Sequence, residues 1–309
     1  MTNLRVAVIG VGHLGQHHAR LLASMDGVEL VGICDTNRPR AEEIAAKFGG
    51  QVFGDSRELL GRVDAVTVAV PTISHVHVAL PFLEAGVATL VEKPIAPCVE
   101  DADRLVAAAE RGGAMLATGH TERFNPAVAT AMPLISDPRF IEIHRLGTFP
   151  ERSLDIDVIF DLMIHDLDLL LSVVKSEVVT VEAVGVNVLT PKADIANARL
   201  RFASGCIANV TASRISRERV RKARFFQHDA YVSIDYAAQE LEVFRLVKGG
   251  ARPIIQGGKM DVTTEEPLRR ELADFVDAAR DGRRPGVTGR DGRDALALAT
   301  RVAEVMETT

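Results

Sequence analysis

The chain has 309 residues, 47% of them hydrophobic and 25% charged, and its formal net charge is -6 at pH 7. A chain of this length is longer than most chains that fold around a single hydrophobic core, which favours two domains. The acidic balance argues against a nucleic-acid-binding protein, because such proteins need an excess of Lys and Arg. The three cysteines lack CxxC spacing, which indicates reduced thiols, and no apolar run approaches the length of a membrane span. We therefore expect a cytoplasmic protein with neither a membrane nor a nucleic-acid partner.

The first 119 residues alternate apolar runs with helix-like stretches. The runs that predict strands are residues 6–9, 29–34, 65–70, 88–91 and 114–118. The stretches that predict helices include residues 16–25, 75–85 and 99–110. This alternation implies right-handed crossovers and a parallel sheet, whose ligands bind at the carboxyl ends of the strands. Residues 1–119 are thus predicted to form an α/β domain.

A glycine motif, Gly10-x-Gly12-x-x-Gly15, follows the first predicted strand and opens the first predicted helix, and Asp35 ends the next strand. In this context Gly10 permits a tight turn, Gly12 lets the backbone approach a pyrophosphate, and Gly15 allows close helix–strand packing. Asp35 can accept hydrogen bonds from a ribose diol and would repel a 2′-phosphate. The motif predicts a Rossmann domain that binds NAD. NADP is the alternative, because Arg38 lies close enough to soften the preference.

Other residues near the glycine motif, or at the carboxyl ends of the predicted strands, are expected to line the same cofactor site. Beyond the three glycines and Asp35, the predicted cofactor residues are His13, Leu14, Thr36, Arg38, Pro71, His75, Glu92, Lys93 and Pro94.

From about residue 140 onward the pattern is rich in strands. The predicted strands are residues 140–146, 178–188, 196–202, 206–212, 223–227, 231–235 and 241–246. Hairpin turns are predicted at residues 204–205 and 227–229, so the sheet should be open and mostly antiparallel. We expect an α+β domain over residues 120–267, followed by helices at residues 268–280 and 290–307.

One predicted helix, residues 156–171, is nearly all apolar and carries a polar stripe of Asp157, Asp161, His165 and Asp168. Spacings of four, four and three residues place the stripe on one face. Unpartnered buried carboxylates would be costly, so the stripe should face a polar cavity or solvent. An ordinary amphipathic helix is the alternative. Third and fourth ligands for a metal are not evident, and no metal site is predicted.

The order of five motifs resembles that of the glucose–fructose oxidoreductase / inositol dehydrogenase / MocA family (Gfo/Idh/MocA). The motifs are Gly10-x-Gly12-x-x-Gly15, Pro71-x-x-x-His75, Glu92-Lys93-Pro94, Gly119-His120-x-x-Arg123-Phe124 and Asp161-x-x-x-His165. The resemblance spans the whole chain. It implies a Rossmann domain joined to a domain for substrate binding and oligomerisation, with residues 268–309 packed on the first domain. It also implies a homodimer or homotetramer.

By the same resemblance, Lys93, Asp161 and His165 occupy the positions that carry catalysis. This set suits oxidation of an alcohol, in which a hydroxyl proton leaves while hydride passes to the nicotinamide. His165 would be the general base, because its unperturbed pKa lies near neutral pH. Lys93 would favour the developing alkoxide, and Asp161 would orient Lys93 or the substrate.

The residues around the expected substrate site most resemble the nucleotide-sugar branch of the family, the UDP-N-acetylglucosamine 3-dehydrogenases, which make a 3-keto sugar for lipid A or surface-polysaccharide assembly. The expected substrate residues are His120, Arg123, Phe124, Asn125, Asp161 and His165. Two alternatives remain. One is a dehydrogenase of a free polyol or sugar, of the inositol or glucose type. The other is a non-catalytic regulator that binds NAD.

A basic run from Arg214 to Arg224 holds six Lys or Arg residues in eleven positions. Arg suits bidentate binding of phosphate, so a diphosphate-bearing substrate could dock here. A solvated strand edge, whose charges suppress aggregation, is an equally good interpretation.

Overall fold

The computed structural model of the chain describes residues 3–149, 156–248 and 253–307. The described residues divide into two compact units. One unit is Met1–Thr121 with Pro267–Leu296, and the other is Glu122–Glu266 with Ala297–Thr309.

The first unit is built on a six-stranded sheet whose neighbouring strands are all parallel. Its strands are β1 (Leu4–Ile9), β2 (Val28–Cys34), β3 (Gln51–Phe53), β4 (Ala65–Val68), β5 (Ala88–Glu92) and β6 (Leu116–Gly119). The helices between them are α1 (Gly15–Leu22), α2 (Arg38–Phe48), α3 (His75–Glu84) and α4 (Val99–Gly112). The spatial order β3-β2-β1-β4-β5-β6 reverses direction between β1 and β4, which is where open α/β sheets bind ligands. The predicted parallel sheet is confirmed, and the short β3 is added to it.

Burial explains why these segments form a doubly covered sheet. Every residue of β4 and β5 is buried, as in parallel sheets with helices on both faces. The helices begin and end at recognisable signals. Asn37 caps α2 by accepting a hydrogen bond from the Arg40 amide at 3.2 Å, and Gly113 ends α4 in the left-handed conformation.

The loop between β1 and α1 requires two of its three glycines for packing and leaves space at the third. Gly10 has a φ of 84°, and a Cβ there would lie 2.8 Å from the Ala69 carbonyl group. A Cβ at Gly15 would overlap the Gly10 carbonyl oxygen. A Cβ at Gly12 would meet no atom within 4 Å. Gly10 and Gly15 therefore close the turn, and Gly12 borders open space.

The second unit is built on an eight-stranded sheet in the order β14-β13-β12-β11-β7-β10-β9-β8. After α5 (Pro126–Ala131), its elements are β7 (Phe140–Leu146), α6 (Ile164–Val173), β8 (Val178–Val186), β9 (Ile195–Phe202), β10 (Ile207–Ser213), β11 (Val220–Phe226), β12 (Ala230–Asp235), β13 (Glu240–Val247) and β14 (Ile254–Met260). Only β7 and β10 pair in parallel; the other neighbours are antiparallel. The predicted, mostly antiparallel sheet is confirmed, and both predicted hairpins are present. The sequence analysis missed β14.

The two faces of this sheet differ. On one face the side chains of Ile141, Phe225 and Val232 are fully buried. On the opposite face four aromatic rings follow one another across β7, β11, β12 and β13. They are Phe140, Phe226, Tyr231 and Phe244, whose successive ring centroids lie 5.6, 5.1 and 6.3 Å apart. Phe226 is 36% exposed, so this second face is an open surface that carries an aromatic row.

The last two helices are α7 (Pro267–Asp281) and α8 (Gly289–Glu307). Residues Pro267–Leu296 are grouped with the first unit, whereas the residues from Ala297 onward are grouped with the second. The contacts explain the difference. Arg301 donates a hydrogen bond to the Val178 carbonyl at 3.1 Å, and the Met306 side chain lies against Gly185, where a Cβ would leave it no space.

The described helices include none that is both long and apolar enough to cross a membrane.

Gly15→Ala should destabilise the fold by about 2–3 kcal/mol, because the added methyl overlaps the Gly10 carbonyl group and the turn must move. Gly12→Ala, the matched control in the same loop, should change stability by less than about 1 kcal/mol, since its methyl enters open space. Urea unfolding of both variants measures the difference. Equal stabilities would contradict the packing role given to Gly15.

Candidate active site

The carboxylate of Asp35 lies against the glycine loop. Its Oδ2 accepts a hydrogen bond from the Val11 amide at 2.8 Å, and its Oδ1 accepts one from the Asn37 amide at 2.8 Å. Asp35 is partly exposed, and its neighbours Gly12, His13, Leu14 and Thr36 are exposed. The end of β2 therefore presents an anchored carboxylate beside the loop, as ribose recognition in a Rossmann domain requires.

The arginine that contacts the loop is Arg40, which the sequence analysis did not select. Arg40 donates to the Val11 carbonyl at 3.0 Å and to Gln16 Oε1 at 2.8 Å. Arg38 instead forms an ion pair with Glu42 at 2.9 Å, and its side chain is 71% exposed. Both arginines follow Asp35 within a few positions, so spacing alone does not separate them. The helical geometry of α2 turns Arg40 toward the loop.

His75 connects the end of β4 to the segment that follows β5. Its Nε2 lies 2.9 Å from the Val70 carbonyl oxygen, and its Nδ1 lies 3.0 Å from that of Pro94. The ring is 1% exposed, and burial lowers the pKa of His75, which favours the neutral imidazole. His75 thus holds the carbonyl group of Pro94, the residue that follows the cis Lys93–Pro94 peptide bond. Pro71, at the start of the same turn, is exposed.

Glu92 is held from another direction by a buried histidine. His18, on α1, is fully buried, and its Nε2 lies 3.0 Å from Glu92 Oε1. Glu92 Oε2 accepts the Lys93 amide at 3.3 Å. Burial by itself would raise the pKa of Glu92, but the hydrogen bond and charge of His18 lower it, so the carboxylate stays ionised. A Cβ at Gly119 would lie 2.8 Å from this carboxylate, which explains the glycine.

The sequence analysis did not select His18, although it lies only three residues after the last glycine of the motif, Gly15. A histidine on the first helix indicates nothing by itself. Its role depends on the carboxylate that β5 brings against it.

In the second unit, Asp161 and His165 lie four residues apart at the beginning of one helical segment. The segment opens as a wide π-helical turn, Ile159–Met163, which contains Asp161, and it continues as α6, which contains His165. Both side chains are partly exposed. A π turn inserts an extra residue into the helix and often accompanies a functional site.

Of the polar stripe predicted for this helix, Asp157, Asp161 and His165 are partly exposed and Asp168 is not. Asp168 is 1% exposed and accepts two hydrogen bonds from Arg123, each of 2.7 Å. Asp157 accepts a hydrogen bond from the Ile159 amide at 3.0 Å, at the beginning of the helical segment. The expectation of a cavity-facing stripe was wrong for Asp168, because an arginine outside the helix pairs with it.

A second arginine clamps the same helix. Arg145, on β7, donates two 2.8 Å hydrogen bonds to Asp166, which is fully buried, and a third of 2.8 Å to Glu122. Burial would lower the pKa of Arg145, but the carboxylates of Asp166 and Glu122 raise it well above its usual value. Asp166 and Asp168 lie one and three residues after His165, so the two clamps fix the rotation of the helix about its axis.

The other expected substrate residues are placed as follows. His120 follows β6 in the first unit and is 1% exposed. Arg123 and the partly exposed Phe124 lie in a short 3-10 turn, Thr121–Phe124. Asn125 is 2% exposed: it caps α5 by accepting the Ala127 amide at 3.1 Å, and it donates to the Tyr236 carbonyl at 3.0 Å. Through these contacts Asn125 has a structural role, as the cap of α5 and as a link to Tyr236, that the sequence did not indicate.

The basic run separates into residues with different surroundings. Arg214 is 2% exposed and donates to Asp194 Oδ1 at 2.9 Å and to the Ile156 carbonyl at 2.8 Å. Arg214 therefore cannot serve as an exposed phosphate ligand, and neither interpretation of the run, a docking surface or a solvated strand edge, holds for this residue. Lys222 and Arg224 form ion pairs with Asp235 at 3.4 Å and Glu142 at 2.7 Å.

Within residues 3–149, 156–248 and 253–307, no three His, Cys, Asp or Glu side chains are grouped so that they could hold a metal ion.

Two family models match the chain. Residues 4–120 match the model described as "Oxidoreductase family, NAD-binding Rossmann fold", and residues 134–231 match the GFO/IDH/MocA C-terminal domain. The UDP-N-acetylglucosamine 3-dehydrogenase of Acidithiobacillus ferrooxidans is 40% identical, over 99% of this chain and 98% of that protein. The scyllo-inositol 2-dehydrogenase (NAD(+)) of Bacillus subtilis is 27% identical, over 93% of this chain and 90% of that protein.

Solved structures give the same result. A structure of the A. ferrooxidans enzyme GnnA superposes with a TM-score of 0.93, at 39% identity, and covers 100% of this chain and 99% of that one. Levoglucosan dehydrogenase in complex with NADH and levoglucosan superposes with a TM-score of 0.89 at 20% identity, covering 99% and 98%, which shows a shared fold. The chain is an NAD-dependent oxidoreductase and belongs to the Gfo/Idh/MocA family.

Proposed function

We propose that this enzyme oxidises the 3-hydroxyl of UDP-N-acetylglucosamine to a 3-keto sugar. The observation that carries the proposal is the 40% identity, over nearly the full length of both chains, with an enzyme of that name. Inositol dehydrogenases match less well, at 26–33% identity, and two of the six do so over only 59% of this chain. A free polyol is thus the second candidate substrate. Retention of Lys93, Asp161 and His165 argues against a regulator without activity, which needs no proton-transfer groups.

Lys93, His165 and Asp161 are the residues that we assign to catalysis. His165 accepts the proton of the reacting hydroxyl, because an imidazole within reach of a hydroxyl is the commonest general base in proteins. Lys93 donates a hydrogen bond to the same oxygen and stabilises its negative charge as the proton leaves. Asp161 orients these groups or the sugar. His120 and Phe124, with Asp161 and His165, are assigned to the substrate. Bound NAD supplies the acceptor for the hydride.

The cofactor assignment rests on the fit of the glycine loop to a dinucleotide. Gly12 leaves room for close approach of a pyrophosphate, and the beginning of α1 offers amide groups and the positive end of a helix dipole. Asp35 is fixed by the Val11 and Asn37 amides and takes the ribose diol, which favours NAD over NADP. His13, Leu14, Thr36 and Arg38 border this end of the site, and Pro71, His75, Glu92, Lys93 and Pro94 border its other end.

Lys93 has a position that suits its assigned role. Its backbone is supported by Glu92, which His18 holds at 3.0 Å, and by the hydrogen-bonding contact of His75 with Pro94 at 3.0 Å. Two buried histidines thus hold the backbone near Lys93, one through Glu92 and the Lys93 amide and the other through the Pro94 carbonyl. A cation on a preorganised backbone stabilises growing charge without reorganising during the reaction.

We also propose that the enzyme is a homodimer or larger homo-oligomer formed through the open face of the eight-stranded sheet. The support is the row of Phe140, Phe226, Tyr231 and Phe244, because aromatic residues on an open sheet face are typical of an interface.

Light scattering should give at least the mass of a dimer for the parent enzyme, and Phe226→Glu should lower that mass. The control Ile73→Glu, at an exposed residue of the first unit, should not. A monomeric parent enzyme would contradict the proposal.

The location stays a prediction: the three cysteines, Cys34, Cys98 and Cys206, form no disulfide with one another, which is compatible with a cytoplasmic enzyme.

The purified enzyme should reduce NAD, followed by nicotinamide absorbance, when UDP-N-acetylglucosamine is added. Free N-acetylglucosamine and myo-inositol should give no comparable rate, because they lack the nucleotide part of the substrate. Turnover of myo-inositol alone would replace the proposed substrate while leaving the catalytic residues in place. Binding of NAD without turnover of any of the three would favour the regulator.

Lys93→Met should lower kcat by about 10²–10³-fold, the loss expected when one preorganised donor to a developing oxyanion is removed. Affinity for NAD, measured by calorimetry, should change little. Lys175→Met is the matched control, because Lys175 is exposed, and it should retain full activity. If Lys93→Met instead lost NAD binding and kept its kcat at saturating NAD, Lys93 would be a cofactor ligand only.

A further inference from the structure

Three arginines of the basic run are exposed and have no ion-pair partner among the described residues: Arg217, Arg219 and Arg221. The other three cations of the run are paired, with Asp194, Asp235 and Glu142. The structure thus divides a run that looks uniform in sequence. Half of its charge holds the fold together, and the other half remains available to a ligand.

Strand register places Arg221 on the same face as the helix that carries His165. Arg221, on β11, pairs directly with Arg145 on β7, and directly opposed residues project from the same face of a sheet. Arg145 reaches Asp166 on α6 at 2.8 Å. Electrostatics agree with this placement: burial raises the pKa of Asp166, while the charge of Arg145 and, more weakly, that of Arg221 act to lower it. Lys222 and Arg224 project from the opposite, open face.

Two arginines directly opposite each other repel, which destabilises a sheet. Arg145 is neutralised by Asp166 and Glu122, both within 2.8 Å. Among the described residues no carboxylate forms an ion pair with Arg221, although the charge of Asp166 acts on it more weakly than on Arg145. An anionic ligand beside Arg221 would reduce the repulsion between the two guanidinium groups.

Arg217 and Arg219 lie in the connection between β10 and β11, which is fastened to the end of β7. The Gly147 amide donates to the Ser213 carbonyl at 2.8 Å, and the Ser216 amide donates to the Gly147 carbonyl at 2.9 Å. These bonds keep the connection at the carboxyl end of β7, the end at which Arg145 and Arg221 also lie. The three exposed arginines therefore belong to one end of the sheet.

We propose that Arg221, assisted by Arg219 and Arg217, binds the diphosphate of the nucleotide-linked substrate. The inference rests on the proposed function. It adds to that function a site that selects the substrate and that lies apart from the reacting groups. Guanidinium groups bind phosphate oxygens in pairs and remain charged at any working pH, so a cluster of them recognises a diphosphate. A free polyol has no group for this cluster.

UDP is the probe, and its affinity for the full-length enzyme is measured by calorimetry. Arg221→Gln should raise the Kd of UDP about tenfold or more, the loss expected for one charge-assisted hydrogen bond. Arg219→Gln should raise it less, and Arg221→Lys, which keeps the charge, should restore part of the affinity. With UDP-N-acetylglucosamine, Arg221→Gln should raise KM and leave kcat nearly unchanged.

Arg245→Gln is the matched control. Arg245 is exposed and has no ion pair among the described residues, but it pairs with Ala230, at the opposite end of β12 from the residues that pair with β11 near Arg221. UDP affinity should not change in this variant. Equal losses in Arg221→Gln and Arg245→Gln would indicate a general charge effect and would overturn the proposal.

The outcomes separate the two levels of inference. If the parent enzyme binds UDP and Arg221→Gln weakens it, but no UDP-sugar is oxidised, the diphosphate site stands and the proposed reaction fails. If UDP-N-acetylglucosamine is oxidised and Arg221→Gln binds UDP like the parent, the reaction stands and the diphosphate site is wrong. An enzyme that turns over free polyols and does not bind UDP would contradict both.

Discussion

The pairing of buried charge by arginine is the constraint on which the second unit depends. An ionised carboxylate inside a protein is tolerated only when a partner compensates for its lost hydration, and removing one partner of such a pair destabilises the fold strongly. Asp166 and Asp168 are both buried, and each receives a two-pronged arginine from a different part of the chain, Arg145 from β7 and Arg123 from the turn before α5. Two such attachments, two residues apart and so on different sides of one helical turn, fix the rotation of the helix about its axis. The exposure of Asp161 and His165 follows from that fixed rotation.

The first unit also contains a buried carboxylate that a partner compensates, and here the partner is a histidine. His18 and Glu92 lie on different elements, α1 and β5, and their contact connects the helix that begins at the glycine loop to the peptide unit that precedes Lys93. The groups assigned to cofactor and to catalysis therefore share a buried support. Gly119 contributes by being small, because any side chain there would displace the Glu92 carboxylate.

Much of the fold was predictable because it depends on local periodicity. Fully apolar runs such as β4, and alternating ones such as β7, indicated their strands, and the spacing from Gly10 to Asp35 indicated the dinucleotide loop. Features that depend on distant partners were not predictable. Asp168 and Asp161 look alike in sequence. Asp168 differs because it is buried against Arg123, which lies 45 residues away in the chain. Arg214 and Arg221 likewise differ by the presence of Asp194 beside the first. The short β3 and the Gly-containing β14 carry too weak a pattern to be recognised.

The last helix has a consequence for how the chain is made. Residues 297–307 of α8 belong to the second unit, where Arg301 and Met306 contact the edge strand β8. The strand β8 emerges from the ribosome well before these residues do, and domains of a nascent chain fold as they become available. The flank of β8 that Arg301 and Met306 contact therefore stays uncovered until α8 has been made.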